Sequence, residues 1–432
     1  MSRNLVVAVL LIITAAVAGY FFLNQNKIND NPADTPQQEY LIETLTLKGS
    51  NTVGESFAPK LATNFLKSQG ATLIKTIQLE SPVEKIIEGV LPGQKRKLQI
   101  DIRAHGSSTG FKALTEQSTE IAMSSRSIKN SELDSLTATF GKVDEHPIAL
   151  DALAIVTYQD NPIEALTIEQ IAKIFSGEIS NWSQLGGEDQ AIYLFSRDNN
   201  SGTWDTFKSL VLKPFDVKLS DRSARFESSA ELVNRVVSNK GAVGFVGVAY
   251  VGESKLLKVA ANDKSPATQP SGYTIGTEDY ALSRKLYFYT TGTKRSEMAL
   301  KFIEFVTQNE GQKLADDVGL ISYYPTSYRP KNLDKQTPLR YRELAATGRR
   351  ITVNFANDVK AEEESKESRD LQRLQNFAFN NPGKKIVLVD FSNSPRLAEI
   401  RTKLEDNAIS VLDTMRVDYA PLRSESIEVW VL

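Results

Sequence analysis

The chain has no cysteine among its 432 residues. That excludes disulfides, thiolate metal sites, a cysteine nucleophile and a lipid-bearing N-terminal cysteine. Histidine is nearly missing as well. His105 and His146 are too few for a histidine-rich metal centre. An excess of either charge is also lacking, with 51 Lys and Arg against 53 Asp and Glu. Without a basic field, nucleic acid is not an expected partner. No metal-ligand spacing is evident, and no general base stands beside a candidate nucleophile. The sequence therefore calls for no cofactor, no metal and no catalytic residue, and an enzyme is not expected.

Long apolar runs are scarce, with one exception. The run 5–23 follows a single positive charge at Arg3. A signal peptide has an apolar core of about 7–15 residues and a small-residue cleavage site. A membrane span needs roughly 20 apolar residues. The run is close to span length, yet Ala16 and Ala18 flank Val17 in a cleavable pattern. Residues 1–23 are thus read as a signal peptide or a membrane anchor, a hydrophobic helix in either case. Export is expected, and residues 24–44, polar with two prolines, read as a linker.

Beyond it, short apolar strands alternate with segments of helical period. TLTLKGS is a strand ending at glycine, and Phe57, Leu61, Phe65 and Leu66 then have helical spacing. LQIDIRAHGSS with GFKALTEQ repeats the scheme, and AIYLFSRDNNSGTWDTFKSLVL does so again. Strand, small polar turn, helix is the sequence form of an α/β fold. Ligands in such folds sit beyond the carboxyl ends of the strands.

Three turns carry the candidate chemistry. The first holds Gly49, Ser50, Asn51, Thr52 and Val53; the second Gly106, Ser107, Ser108, Thr109 and Gly110. The third runs from Arg197 through Asp198, Asn199, Asn200, Ser201 and Gly202 to Thr203. Each follows a strand and opens a helix. First-turn N–H groups lack internal partners and sit at the positive end of the helix dipole. Hydroxyls add donors, glycine admits close approach, and Arg197 brings a planar fork suited to phosphate. Ser, Thr, Asn and Asp before a helix are also ordinary N-caps. Spacing alone leaves both readings open, because it does not show convergence.

These motifs carry a resemblance. From about Thr46 to Tyr328 the chain resembles the periplasmic phosphate-binding proteins of ABC transporters. The matching pieces include LKGSNTVGESFAPKLATNFLK, HGSSTGFKALTEQSTEIAMSSR, LTIEQIAKIFSGEISNWSQLGG, SRDNNSGTWDTF, KGAVGFVGVAYV and YALSRKLYFYT. The resemblance implies two α/β lobes over residues 45–329, closing on dehydrated inorganic phosphate. It puts phosphate contacts on Thr52, the Val53 N–H, Ser107, Ser125, Arg197, Ser201, Gly202 and Thr203. It further implies a periplasmic location and an ABC permease as partner. Some relatives carry an aspartate where this chain has Ser125. A carboxylate there accepts a phosphate proton and repels sulfate, so the serine weakens the case for sulfate discrimination. Arg126 either reaches this site or pairs with a surface acid, and surface pairing is the expectation. His105 is expected to be a packing residue at a strand end.

Residues 330–349 are polar and proline-bearing and read as a second linker. From 350 to 432 a smaller α/β block follows. ITVNF, KKIVLVDF and SIEVWVL read as strands, with helices over 358–377 and over PRLAEIRTKLEDNAISVLDTM. This block resembles the OmpA-like domain that docks proteins on peptidoglycan. The family binds through an aspartate after the central strand and an arginine in the following helix; the aligned positions here read Asn393 and Asn407, and Asn407 does not make the charge-assisted carboxylate grip of an arginine. Phosphate capture, for ABC uptake or for retention and sensing in the envelope, is the leading expectation. The alternative is an envelope-structural or adhesive protein that binds another oxyanion or a cell-wall component, with the N-terminal segment in the inner membrane.

Overall fold

The computed structural model describes residues 40–292, 295–330, 333–355, 366–391, 395–419 and 426–432. The expected N-terminal helix and Asn393 lie outside them. Among the described residues no helix is long and apolar enough to cross a membrane.

Five strands begin the fold: β1 (Leu41–Gly49), β2 (Thr72–Gln78), β3 (Glu84–Leu91), β4 (Arg96–Arg103) and β5 (Ile121–Ser124). The long β6 (Val143–Thr157) follows. Next come β7 (Ala165–Thr167), β8 (Tyr193–Arg197), β9 (Ala224–Phe226), β10 (Ala242–Gly247), β11 (Lys255–Leu256) and β12 (Lys258–Ala260). The strand β13 (Ser283–Thr291) then returns. Eleven of these form one sheet in the order β2-β3-β4-β1-β5-β13-β6-β10-β8-β9, with β11 added on β6. The pairs of β1 with β4 and β5, and of β8 with β9 and β10, are parallel. Parallel pairs need crossover connections, and the helices supply them.

Four apolar clusters pack on the sheet among the described residues, and the larger two form one main core per lobe. In the first, the helix Phe57–Ser68 buries Phe57, Leu61, Phe65 and Leu66, the four positions whose spacing predicts it. Phe65 meets Phe302 edge-on, with ring centroids 5.2 Å apart. The second core gathers Phe175, Phe207 and Phe245 around the helix Ile168–Ser176. Thr167 and Gln170 start that helix with a reciprocal capping box. β6 belongs to both lobes: its first part pairs with β13 and its last five residues with β10.

A second sheet holds β14 (Ser327–Tyr328), β15 (Arg349–Phe355), β16 (Ile386–Asp390), β17 (Val411–Arg416) and β18 (Ile427–Val431) in the order β14-β15-β18-β16-β17. Two readings of the sequence are corrected here. The stretch read as a linker contains the helix Leu339–Thr347, which buries Tyr341, Leu344 and Ala345 at helical spacing. The single helix expected from Pro395 onward ends at Asp406, and β17 follows. Asn407 caps the break and Ala408 takes a positive φ of 59°. Side chains of the second sheet also dock on the second lobe. Arg373 donates to the carbonyls of Tyr323 (2.9 Å) and Gly276 (3.2 Å), and Asn354 donates to Asp279 at 2.8 Å. Arg350 stacks 4.0 Å from the Tyr273 ring centroid.

Trp430 sits fully buried against Tyr341 and donates to Glu428 at 2.8 Å. Trp430→Ala is expected to cost about 3–5 kcal/mol, because a large buried ring leaves a cavity. Urea denaturation followed by circular dichroism reads the loss, and an unchanged midpoint would contradict this packing account.

Candidate functional site

The first turn leaves β1 at Gly49 and enters the short helix Asn51–Gly54. Ser50 caps it, its Oγ accepting the Val53 N–H at 3.4 Å. The second turn leaves β4 and opens the helix Ser107–Thr115. The Gly106 N–H donates to the Gly49 carbonyl at 2.7 Å, which fastens the first two turns together. The third leaves β8 and opens the helix Gly202–Phe207. Asp198 Oδ1 accepts the N–H groups of Asn200 and Ser201, each at 2.9 Å, and shapes that turn. Ser201 then caps the helix through the Trp204 N–H at 3.4 Å.

The turns converge across the two lobes. Thr52 Oγ1 of the first lobe lies 3.1 Å from Thr203 Oγ1 of the second. Ser107 Oγ is 3.4 Å from Ser125 Oγ and accepts the Ser125 N–H at 3.1 Å. Gly202 faces that pair so closely that a Cβ would overlap both hydroxyls. Gly106, at φ +103°, likewise faces the backbone of Asn200. Thr52, Ser107, Ser125, Ser201 and Thr203 are each at most 2% exposed, so an anion held among them is stripped of water.

Arg197 stands behind this cluster with its fork already engaged. It donates to the carbonyls of Phe226 (3.1 Å) and Glu227 and to Ser229 Oγ at 2.5 Å. Burial pushes its pKa down, opposed by the charge of Glu55. Burial also raises Glu55, against the pull of Arg197. The guanidinium supplies positive potential next to the turn rather than a free bidentate grip.

Arg126 departs from expectation. It is buried, not at the surface, and reaches Asp205 across the lobes at 2.9 Å while binding Glu132 at 2.7 Å. Lys129 meets the same Asp205 at 2.7 Å. His105 is no packing residue either. Its Nε2 lies 2.8 Å from Glu84 on its own lobe and its Nδ1 lies 2.9 Å from Glu227 on the other.

Sequence reasoning missed the pair Asp151 and Arg284. They face each other on β6 and β13, with Arg284 Nη2 2.6 Å from Asp151 Oδ2. Arg284 also donates to Thr203 Oγ1 at 2.9 Å and to Thr52 Oγ1 at 3.3 Å. The signal was present in IALDALAIV: an aspartate inside a buried apolar strand needs a partner. In the small sheet, Asn407 is a helix cap. Its Nδ2 donates to the Lys403 carbonyl at 2.7 Å and its Oδ1 accepts from Gln375 at 2.8 Å.

Two α/β lobes that share a sheet and close on hydroxyls and helix N-termini define a solute-binding protein. The family model described as a PBP superfamily domain matches residues 67–310, and the chain belongs to that superfamily. Within it, the matched stretch is a PstS-like phosphate-binding-protein domain. The chain is 28% identical over 225 residues to the phosphate-binding protein PstS of Borreliella burgdorferi, covering 50% of this chain and 77% of that protein. It is 30% identical over 241 residues to PstS of Pseudomonas aeruginosa, covering 52% and 74%. Among solved structures it resembles a protein from Clostridium perfringens described as a phosphate ABC transporter substrate-binding protein with bound phosphate. The identity is 26% and the TM-score 0.52, over 65% of this chain and 99% of that one.

Two predictions follow from the contacts between lobes. Gly202→Ala is expected to wedge Ser107 and Ser125 away and hold the lobes apart, read as a larger radius of gyration in X-ray scattering; an unchanged profile would overturn the close-approach argument. The His105 contact is expected to depend on pH. Two carboxylate acceptors require both ring nitrogens to donate, which is the imidazolium form. Burial opposes that charge, but the bonds to Glu84 and Glu227 outweigh it and raise the His105 pKa. The bond from His105 holds Glu84 below its usual range, with Arg103 assisting at 2.5 Å. The His105 contribution is fully present below the unfolded value of about 6.5 and is lost as pH rises through the raised folded value. At the acid end, the Glu84 contribution is lost as pH falls through its lowered value. An NMR titration of His105 with a midpoint at or below the unfolded value would contradict this.

Proposed function

We propose that this chain captures inorganic phosphate, without chemistry, in the cleft between its two lobes and serves ABC-type phosphate uptake. One observation carries the reading: two buried threonines from opposite lobes, Thr52 and Thr203, stand 3.1 Å apart at the meeting point of three helix-opening turns. In this reading the hydroxyls of Thr52, Ser107, Ser125, Ser201 and Thr203 and the N–H groups of Val53 and Gly202 donate to the phosphate oxygens. Arg197 adds positive potential from behind. Closure of the lobes exchanges the anion's water for these fixed donors. The names of the matched relatives, which bind phosphate, support the same ligand.

Export to the periplasm, with residues 1–23 as signal peptide or anchor, and delivery to a permease belong to the same proposal. So does a division into residues 45–329 and 350–432. The OmpA-like reading of the smaller unit is supported by β16, the helix Arg396–Asp406 and the closing strand β18 falling where the resemblance expects them. Peptidoglycan is the partner that resemblance suggests. Both polar atoms of Asn407 are committed within the fold, so we assign this unit to docking on the second lobe rather than to a carboxylate grip.

The test is calorimetric titration of the unfolded and refolded chain with phosphate and then with sulfate. Tight phosphate binding is expected, with measurable sulfate binding because Ser125 offers no carboxylate to repel it. Binding of neither anion would sink the proposal and shift the weight to an envelope-structural role.

A further inference from the structure

We propose that Arg284, held by Asp151, fixes the hydroxyl pair of Thr52 and Thr203 as a donor towards the cleft and so makes the cleft favour the more highly ionised form of its oxyanion. The inference rests on the phosphate reading of the cleft and specifies which species of phosphate the site takes.

The geometry has three parts. Asp151 lies on β6 and Arg284 opposite it on β13, the two strands that pair alongside one another at the centre of the large sheet. Asp151 is fully buried, and its oxygens are all occupied. Oδ1 accepts the Val248 N–H at 3.1 Å, and Oδ2 accepts Arg284 Nε at 2.9 Å and Nη2 at 2.6 Å. This fixes the guanidinium in one plane. Its other edge then reaches one threonine on each lobe, Thr203 through Nη1 and Thr52 through Nη2. Gly247 packs beside the pair, where a Cβ would press on Asp151, Arg284 and Thr52 together.

Hydrogen-bond direction follows from the chemistry of the groups. A guanidinium has donors and no acceptor. Each threonine hydroxyl must therefore accept from Arg284, which occupies a lone pair on both oxygens. A second lone pair and the proton remain on each oxygen, and the two oxygens lie 3.1 Å apart, so one hydroxyl fills its neighbour's second lone pair and leaves that neighbour only its proton to offer. A hydroxyl so committed is a good partner for an unprotonated phosphate oxygen and a poor acceptor for a P–OH group. Asp151 cancels the charge of Arg284, so the preference comes from the direction of the bonds and not from an added positive charge. Arg284 is in this sense a positioning and specificity residue: it acts on the anion through the two threonines.

The experiment is calorimetric titration of the full chain with inorganic phosphate below and above the second ionisation of phosphate. The variants are Arg284→Met and the double variant Asp151→Asn with Arg284→Met. The double variant removes both charges together, so it strands no buried carboxylate and keeps an acceptor for the Val248 N–H. Wild-type affinity is expected to rise as the pH passes that ionisation. Both variants are expected to bind about tenfold more weakly at the higher pH and to lose most of that rise. Where the single variant fails to fold, the double variant gives the answer. Wild-type affinity with a wild-type pH profile in the double variant would overturn the inference. A uniform loss of affinity with an unchanged pH profile would overturn it too, because a merely structural pair gives that result. Absence of phosphate binding by the wild-type chain would instead overturn the reading of the cleft, and the inference with it.

Discussion

A single fifteen-residue strand, β6, has to satisfy both lobes at once. Its early residues pair with β13 and its last ones with β10, and its residues from Ile148 to Thr157 are buried. Each lobe is therefore built outward from a strand whose hydrogen bonds it shares with the other. A rearrangement of the lobes must keep that ladder, since unpaired backbone groups in a buried strand are costly. Relative motion is restricted to bending and twisting about the β6–β13 pair. Residues carried on turns at either side can then approach and withdraw along a defined path.

The cleft exploits that restriction. Its contacts across the lobes are of two kinds, neutral hydroxyl and glycine contacts and ion pairs. Deep inside, neutral hydroxyls face one another and backbone glycine faces serine. Ion pairs also cross: the buried Arg126 and the half-exposed Lys129 reach Asp205, and His105 meets Glu227 nearer the surface. Arg126, Lys129 and His105 are committed to carboxylates across the cleft, so they hold the lobes together rather than offering charge to a guest. The pairing has a dielectric logic. Isolated charges are expensive to bury, so the buried charge of Arg284 appears together with its counter-ion Asp151.

Much of this was legible in the sequence, and the misses have a common cause. The α/β alternation, the helix built on Phe57, Leu61, Phe65 and Leu66, and the three small polar turns were readable because each is local: a period, a glycine, a cap. Arg126, His105 and the pair Asp151–Arg284 were misread or passed over because their meaning lies in partners far along the chain. Asp205 is 79 residues from Arg126, and Arg284 is 133 residues from Asp151. An isolated arginine in a sequence is most often exposed, and only the fold brings in the carboxylate that buries it. The helix Leu339–Thr347 was hidden by its polar composition. Tyr341, Leu344 and Ala345 give it a narrow apolar stripe, which one aromatic ring against Trp430 is enough to anchor. In the smaller unit, the change from helix to β17 turns on Asn407 and Ala408, a break that average propensity does not mark.

The smaller sheet adds a constraint that two lobes alone would not have. Its docking residues meet Tyr273, Gly276 and Asp279, just before the return strand β13, and Tyr323, which follows the helix Asn309–Asp316. Arg284 is the second residue of that strand, five residues beyond Asp279 in sequence. Part of the surface that receives the smaller unit, Tyr273 to Asp279, and the arginine that reaches the cleft threonines thus lie in one short stretch of chain. Gly276 packs directly against Thr352, so this junction is a close fit rather than a loose tether. The junction also reaches the first lobe, because the Tyr323 N–H donates to Gln312 at 2.9 Å on the helix Asn309–Asp316, whose Ala315 packs in the first-lobe core. The smaller unit is therefore fastened where the two lobes meet rather than to the second lobe alone.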